Sequence, residues 1–263
     1  MALIALMSAG GSPGVTTSAL GLALSWPRPV ILVDADPTGA RAIPAGYLKG
    51  AQLPTDQTVV DLAVSHRQGT LAEDLPKMLT PIPESPARLL AGPLNHYQSR
   101  ALDGLWESLA TVFKSLERTG QDVIVDAGRL GLESFAMKLV TQADQALLAT
   151  RTNLPALVAA SSWAPTLRES FSRTGGLDSL GVLVIGEKRP YPNGEVTKVL
   201  GRPVTASLAW DPTTAEVYAE GAGRSRKFTT APLNKSLRAA VQSIQASIAR
   251  SQAALEAAGR STR

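Results

Sequence analysis

The sequence predicts an α/β protein: a doubly wound, mostly parallel sheet flanked by helices, in a single domain. Seven short runs rich in Val, Ile and Leu lack the alternation of a half-solvated strand, which suits strands buried on both faces. Helical stretches separate these runs, and such repetition builds a parallel sheet by right-handed crossovers. The loops after the strands then gather along one carboxyl edge, where ligands of open α/β sheets bind. At that edge the first loop is glycine-rich and two later strands end in aspartate.

In chain order, the apolar run at 3–7 (LIALM) is the first strand, and 16–25 (TTSALGLALS) the helix after its glycine loop. The run VILV at 30–33 is the second strand, and 58–67 a helix. Segments 49–57 and 75–86 carry prolines and weak periodicity, so they read as surface loops. A strand at 88–91 leads to a helix at 101–118, a strand at 123–125 to a helix at 134–141, and a strand at 146–149 to one at 155–174. Strands at 181–185 and 204–208 enclose a helix at 195–200. The stretch 221–236 (GAGRSRKFTTAPLNKS) reads as a mobile basic loop. A long final helix runs from Leu233, with Leu237, Val241, Ile244 and Ile248 on the same side, as docking on the sheet requires. The predicted division is an α/β unit over 1–231 and a C-terminal helical segment over 232–263, packed on it and ending in a frayed tail. In that tail, 249–263, Leu255 is the one large apolar residue.

Composition narrows the function. Hydrophobic residues make up 44% of the 263, enough for a sizeable core, and charged residues 18%, which argues against disorder. The absence of cysteine excludes disulfides, thiolate metal sites and thiol nucleophiles, and the two histidines show no ligand spacing. Gly10, Gly11 and Pro13 interrupt the first apolar run too early for a signal peptide, and no window approaches a membrane span. A cytoplasmic protein is expected. The net charge of +4 permits an acidic partner without demanding one.

The candidate chemistry lies at the carboxyl edge. In SAGGSPGVTT, Gly10, Gly11 and Gly14 let the backbone turn its N–H groups inward, and the following helix points its positive end at the same spot. Such a turn alone is equally a tight connection. VILVDADPTGA then ends a strand in Asp34 and Asp36, and QDVIVDAGRLG ends another in Asp126. Each acid alone is a candidate helix cap. Three together, facing a glycine loop, suit Mg²⁺ and a polarised water.

These motifs resemble the ParA/MinD group of P-loop ATPases (SIMIBI class), and in character its TadZ/CpaE pilus-assembly branch. That group's loop reads K-G-G-x-G-K-T-T, its second strand ends D-x-D-P, and its Walker B strand ends in aspartate. Here they read GGSPGVTT, DADP and VIVDAG, and a later stretch, EVTKVLGRPVTASLAWDPTTAEVYAEGAG, extends the likeness to about Gly223. The resemblance implies a P-loop NTPase-like fold, with Gly11, Ser12, Gly14, Val15, Thr16 and Thr17 forming the phosphate loop. Thr16, Asp36 and Asp126 would serve Mg²⁺, and Asp36 would position the attacking water.

The departures are equally specific. The family's intermonomer lysine falls on Gly10, its P-loop lysine on Val15, one loop glycine on Ser12, and an adenine-binding asparagine is replaced by Gly186 and Glu187. A charge-assisted hydrogen bond contributes ~1.5–3 kcal/mol, so two lost lysines cost ~3–6 kcal/mol, which at ~1.4 kcal/mol per tenfold turns a micromolar site millimolar. Hydrolysis suffers more, because the lysine also stabilises charge on the transferred phosphoryl. Arg129, Arg151 and Arg41 are the candidate replacements, against the alternative that each is a solvated or ion-paired arginine. Trp210 reads as the edge of the core rather than a stacking platform.

The resemblance and its losses imply a degenerate ParA/MinD-like positioning or assembly scaffold, serving a pilus, secretion or conjugation system. It would act through protein partners and as a homodimer. It would bind ATP or ADP with Mg²⁺, or no nucleotide at all, and be at most a weak ATPase. The alternative is a DNA-partition ATPase binding DNA weakly and non-specifically through Arg224, Arg226, Lys227, Lys235 and Arg238. A third reading is a division-positioning factor held at a membrane-associated complex by its last helix.

Overall fold

The computed structural model describes residues 2–51, 53–116 and 120–261. Its strands are β1 (Leu3–Ser8), β2 (Val30–Asp34), β3 (Thr80–Pro81), β4 (Arg88–Leu90), β5 (Asp122–Arg129), β6 (Gln145–Arg151), β7 (Leu180–Ile185) and β8 (Val204–Leu208). They form one 8-stranded sheet in the order β3-β4-β2-β5-β1-β6-β7-β8. All neighbours pair in parallel except β3 with β4, so the doubly wound architecture is as predicted. The carboxyl ends of β1, β2, β5 and β6 lie side by side, and this places the glycine loop between the acidic strand ends and Arg151.

The pleat sorts β1 into two cores. Leu3, Ala5 and Met7 pack on one face of the sheet, with helices α2 (Val59–Gln68), α4 (Trp106–Ser115) and α6 (Leu154–Arg173). Ala2, Ile4 and Leu6 pack on the other, with α1 (Val15–Ser25), α8 (Pro212–Glu220) and α9 (Pro232–Ser261). The remaining helices are α3 (Leu71–Asp74), α5 (Met137–Val140) and α7 (Asn193–Leu200).

Helix α1 carries no charge, is apolar nearly all round, and is mostly buried. Its Gly21 is required by close approach: a Cβ there would lie 2.8 Å from Leu237 Cδ1 of α9. The α9 stripe is the predicted one, Leu233, Leu237, Val241, Ile244 and Ile248 all being buried. At ~1.5–3 kcal/mol for each fully buried aliphatic side chain, that stripe holds the helix firmly to the sheet.

Several elements differ from expectation. The segment read as a loop at 75–86 contains the antiparallel edge strand β3, too short for a hydropathy pattern. The helix expected over 101–118 divides into a 3₁₀ segment, His96–Leu102, and α4, while Glu117 and Arg118 lie outside the described residues. The helix expected at 134–141 shrinks to α5. Helix α8 was not anticipated; Asp211 caps it by accepting the Thr214 N–H at 3.2 Å, and Pro212 suits its first turn. The basic loop is anchored: Arg224 pairs with Glu84 at 2.9 Å and donates to the Tyr47 hydroxyl at 3.0 Å. The side chain of Leu255 and residues 262–263 of the expected tail lie outside the described residues. Among the described residues no helix is long and apolar enough to cross a membrane.

Candidate functional site

The loop between β1 and α1 is bent by left-handed residues: Gly11 (φ 73°), Ser12 (φ 43°) and Gly14 (φ 102°). Gly14 sits at the N-cap of α1 with no side-chain cap, leaving the first N–H groups of the helix to an external acceptor. Val15 is the first helical residue, and its side chain is buried in the core. As a phosphate-loop residue it can therefore supply only its N–H. Thr16 and Thr17 follow, half-buried on the first turn, and Thr16 acts on the Asp126 carboxyl from beside it, holding its pKa down.

The acids converge because β2 and β5 are adjacent and in register, with Asp34 opposite Asp126. Asp126 accepts the Gly128 N–H at 3.0 Å, and Asp34 the Asp36 N–H at 3.3 Å. Asp36 accepts the Thr38 N–H at 2.9 Å, and the Ser99 hydroxyl donates to the Pro37 carbonyl at 2.7 Å, fixing the turn. Two glycines make room for the carboxyl groups. A Cβ on Gly128 would lie 2.6 Å from Asp36 Cγ, and one on Gly92 2.7 Å from Asp34 Cγ. Sequence reading missed both; nothing in a lone glycine says that a carboxylate from another strand will lean on it.

Burial dominates the electrostatics. It pushes the Asp34 carboxyl up to about 8, with repulsion from Asp126 and then Asp36 adding to it. Asp126 is pushed up to about 6, again mainly by burial and further by Asp36, against the opposing Thr16 and Gly128 hydrogen bonds. No cluster of three His, Cys, Asp or Glu among the described residues is placed to hold a metal ion. The donor set nonetheless fits Mg²⁺ accompanying a phosphate, which takes few protein ligands: the Thr16 hydroxyl, with Asp126 and Asp36 beside it.

Of the candidate arginines, the structure brings Arg151 to the loop and leaves Arg129 exposed at the end of β5. The Arg151 guanidinium donates to the Ser12 carbonyl at 3.2 Å and stacks 4.7 Å from the centroid of the Trp210 ring. Its Nε is buried without a partner among the described residues. Arg41 lies beyond the D-x-D-P turn at φ 48°, its Nε and Nη2 likewise buried and unpartnered among the described residues. Trp210 does not fill the core as expected. It is 38% exposed, because Arg151 and Arg189 (5.7 Å) cover its ring instead of aliphatic side chains. Thr152 supports this arrangement, donating to the Gly186 carbonyl at 2.8 Å and accepting the Arg189 N–H at 3.0 Å. Between loop and tryptophan lies a cavity of about 290 Å³, lined by Ser12, Gly14, Thr17, Arg151 and Trp210 among others.

Of the basic residues proposed for DNA, Arg224 is ion-paired and Arg238 donates to the Thr229 carbonyl at 3.0 Å. Arg226, Lys227 and Lys235 are exposed.

This sheet order, with a glycine loop after its central strand and acids at the ends of neighbouring strands, is the MinD/ParA-type P-loop NTPase fold. The cell division ATPase MinD of Pyrococcus furiosus superposes with a TM-score of 0.70 at 22% identity, covering 93% of this chain and 98% of that one. The septum site-determining protein MinD of Pyrococcus horikoshii, complexed with Mg-ADP, gives 0.69 at 20% identity, covering 92% and 95%. A ParA family ATPase of Chlorobium tepidum gives 0.67 at 17% identity, covering 92% and 98%. No family model and no curated protein matches the chain.

Proposed function

We propose that this chain is a degenerate ParA/MinD-like nucleotide-binding protein, a positioning or assembly scaffold that hydrolyses ATP weakly or not at all. The observation carrying the proposal is the β1–α1 loop: its backbone, Thr16 and Asp126 are disposed for a phosphate and Mg²⁺, while Gly10 and the buried Val15 stand where cations would be. A nucleotide would be held by the N–H groups of 11–17, the Thr16 and Thr17 hydroxyls, and Arg151. Its base would enter the cavity beside Trp210. Bound Mg²⁺ would supply charge neutralisation at the phosphates. Asp36 would hold a water, but without a lysine the charge developing on a transferred phosphoryl goes largely unstabilised, so turnover is slow.

Without turnover, the protein works by docking. A cytoplasmic homodimer engaging protein partners of a pilus, secretion or conjugation system, at a membrane-associated complex, is the reading we favour. Supporting it, as likeness of fold, are the MinD and ParA structures. Titration calorimetry with ATP, ADP and GTP plus Mg²⁺, beside a phosphate-release assay, tests the proposal. Binding with phosphate release at background is expected; hydrolysis at an ordinary ParA rate, abolished by Asp36→Ala, would refute it. The second reading, a DNA-partition ATPase, draws on exposed Arg226, Lys227 and Lys235. Salt-sensitive duplex binding, weakened by reversing the charges at 226 and 227, would favour it.

A further inference from the structure

The two ends of the β1–α1 loop differ in charge. On the cavity side, Arg151 is the one cation among the described lining residues, and it reaches the loop through the Ser12 carbonyl. Its buried Nε has no partner among the described residues, so part of its donor capacity is unused while it stacks on Trp210. Two acids also line the cavity, Asp211, which accepts from the Thr214 and Leu233 N–H groups, and Glu216. On the other side Thr16 touches Asp126, Asp34 stands opposite Asp126, and Asp36 leans on Gly128. No arginine or lysine is paired with any of these three carboxyl groups among the described residues.

Resting on the nucleotide reading above, we propose that the site selects nucleoside diphosphates over triphosphates, with Arg151 as the cation that grips the diphosphate. With the nucleoside in the Trp210 cavity, the first phosphates lie within the reach of Arg151 and the N–H groups of α1. Each further phosphate adds negative charge toward the acidic end, where only Mg²⁺ could offset it. Opposite charges favour binding and like charges oppose it, most strongly where burial limits screening. Arg151 suits the first task because a guanidinium can leave its carbonyl and aromatic partners for two phosphate oxygens at once.

The test is calorimetry of the full chain with ADP and ATP, each with saturating Mg²⁺, on wild type, Arg151→Ala, Arg151→Lys and Asp36→Asn. ADP binding at least threefold tighter than ATP is expected. Arg151→Ala should weaken ADP about tenfold, the loss of one charge-assisted contact, and Arg151→Lys should recover part of it. Asp36→Asn, which keeps an oxygen for the Thr38 N–H, should narrow the ADP-to-ATP ratio. A wild-type ratio below threefold, or ADP affinity unchanged in Arg151→Ala, overturns the inference and leaves nucleotide binding standing. Failure of both nucleotides to bind correctly folded wild type, judged by circular dichroism, removes the nucleotide reading and the inference with it.

Discussion

Replacing Asp34 by asparagine isolates the cost of burying an acid at the end of β2. Its carboxyl is pushed from 3.8 to about 8 by burial and by two neighbouring carboxylates. An acid whose pKa is raised by folding binds more protons folded than unfolded between those two values. Stability is therefore fully present below about pH 4 and lost as pH rises towards about 8. At ~1.4 kcal/mol per pH unit, the loss between pH 5 and pH 8 is on the order of 4 kcal/mol. That figure is an upper bound, since Asp126 shares the repulsion. Asparagine keeps an oxygen for the Asp36 N–H and does not titrate, so its stability should be flat across the window apart from the smaller Asp126 contribution below about pH 6. Urea unfolding at half-unit steps from pH 5 to 8 measures both proteins. The wild type should fall relative to Asp34→Asn by at least ~1.5 kcal/mol, about one pH unit of linkage. Curves that stay parallel between pH 6 and pH 8, above the range where Asp126 contributes, would refute the account of Asp34 as a strained, buried acid.

Three further substitutions probe the site and its support. Gly128→Ala places a Cβ 2.6 Å from Asp36 Cγ at a φ of 69°, so thermal unfolding should show a loss of ~1–3 kcal/mol. Asp36→Gly in the same chain should return part of it by removing the carboxyl group in the way. Leu237→Ala empties the contact between α9 and Gly21 and should cost ~2–5 kcal/mol in urea, with near-ultraviolet circular dichroism reporting looser packing. Val15→Lys puts an ammonium where a buried valine packs, so thermal unfolding should show a loss of ~1–3 kcal/mol.

The sheet and most helices were legible because buried parallel strands write themselves as unbroken Val/Ile/Leu runs and α9 as a clear stripe. Helix α8 was missed because its burial rests on Thr214, Val217 and Tyr218 alone, too few for a pattern. The edge strand β3 has only two residues and depends on β4 for its identity. In the site, the acids and the loop could be read because each follows a strand immediately. Which arginine approaches the loop could not, since Arg129 and Arg151 both end strands beside β1. The tie from Thr152 to Gly186 and Arg189, and the ring of Trp210 from the β8 side, hold Arg151 in place. Those contacts cross 34, 37 and 59 positions of sequence, beyond any local signal.

The missing lysines and the raised acids are linked. A cation in the loop would lower the free energy of every ionised carboxylate near it, and Asp126 would then carry its charge at neutral pH with less penalty. With Val15 turned into the core and Gly10 bare, the cluster relieves its repulsion by holding protons instead, and Asp34 is the carboxyl group that burial favours for this. A divalent ion entering beside Thr16 must then compete with those protons as well as with water. On the nucleotide reading proposed above, the same feature would weaken both phosphate and metal binding, at the acidic end of the loop. The cavity end, where Arg151 and Trp210 meet, escapes them. On the proposed reading, a protein with slow turnover would still keep a nucleoside and its first phosphates in place, because the interactions that retain a ligand and those that stabilise a leaving phosphoryl sit at opposite ends of one loop.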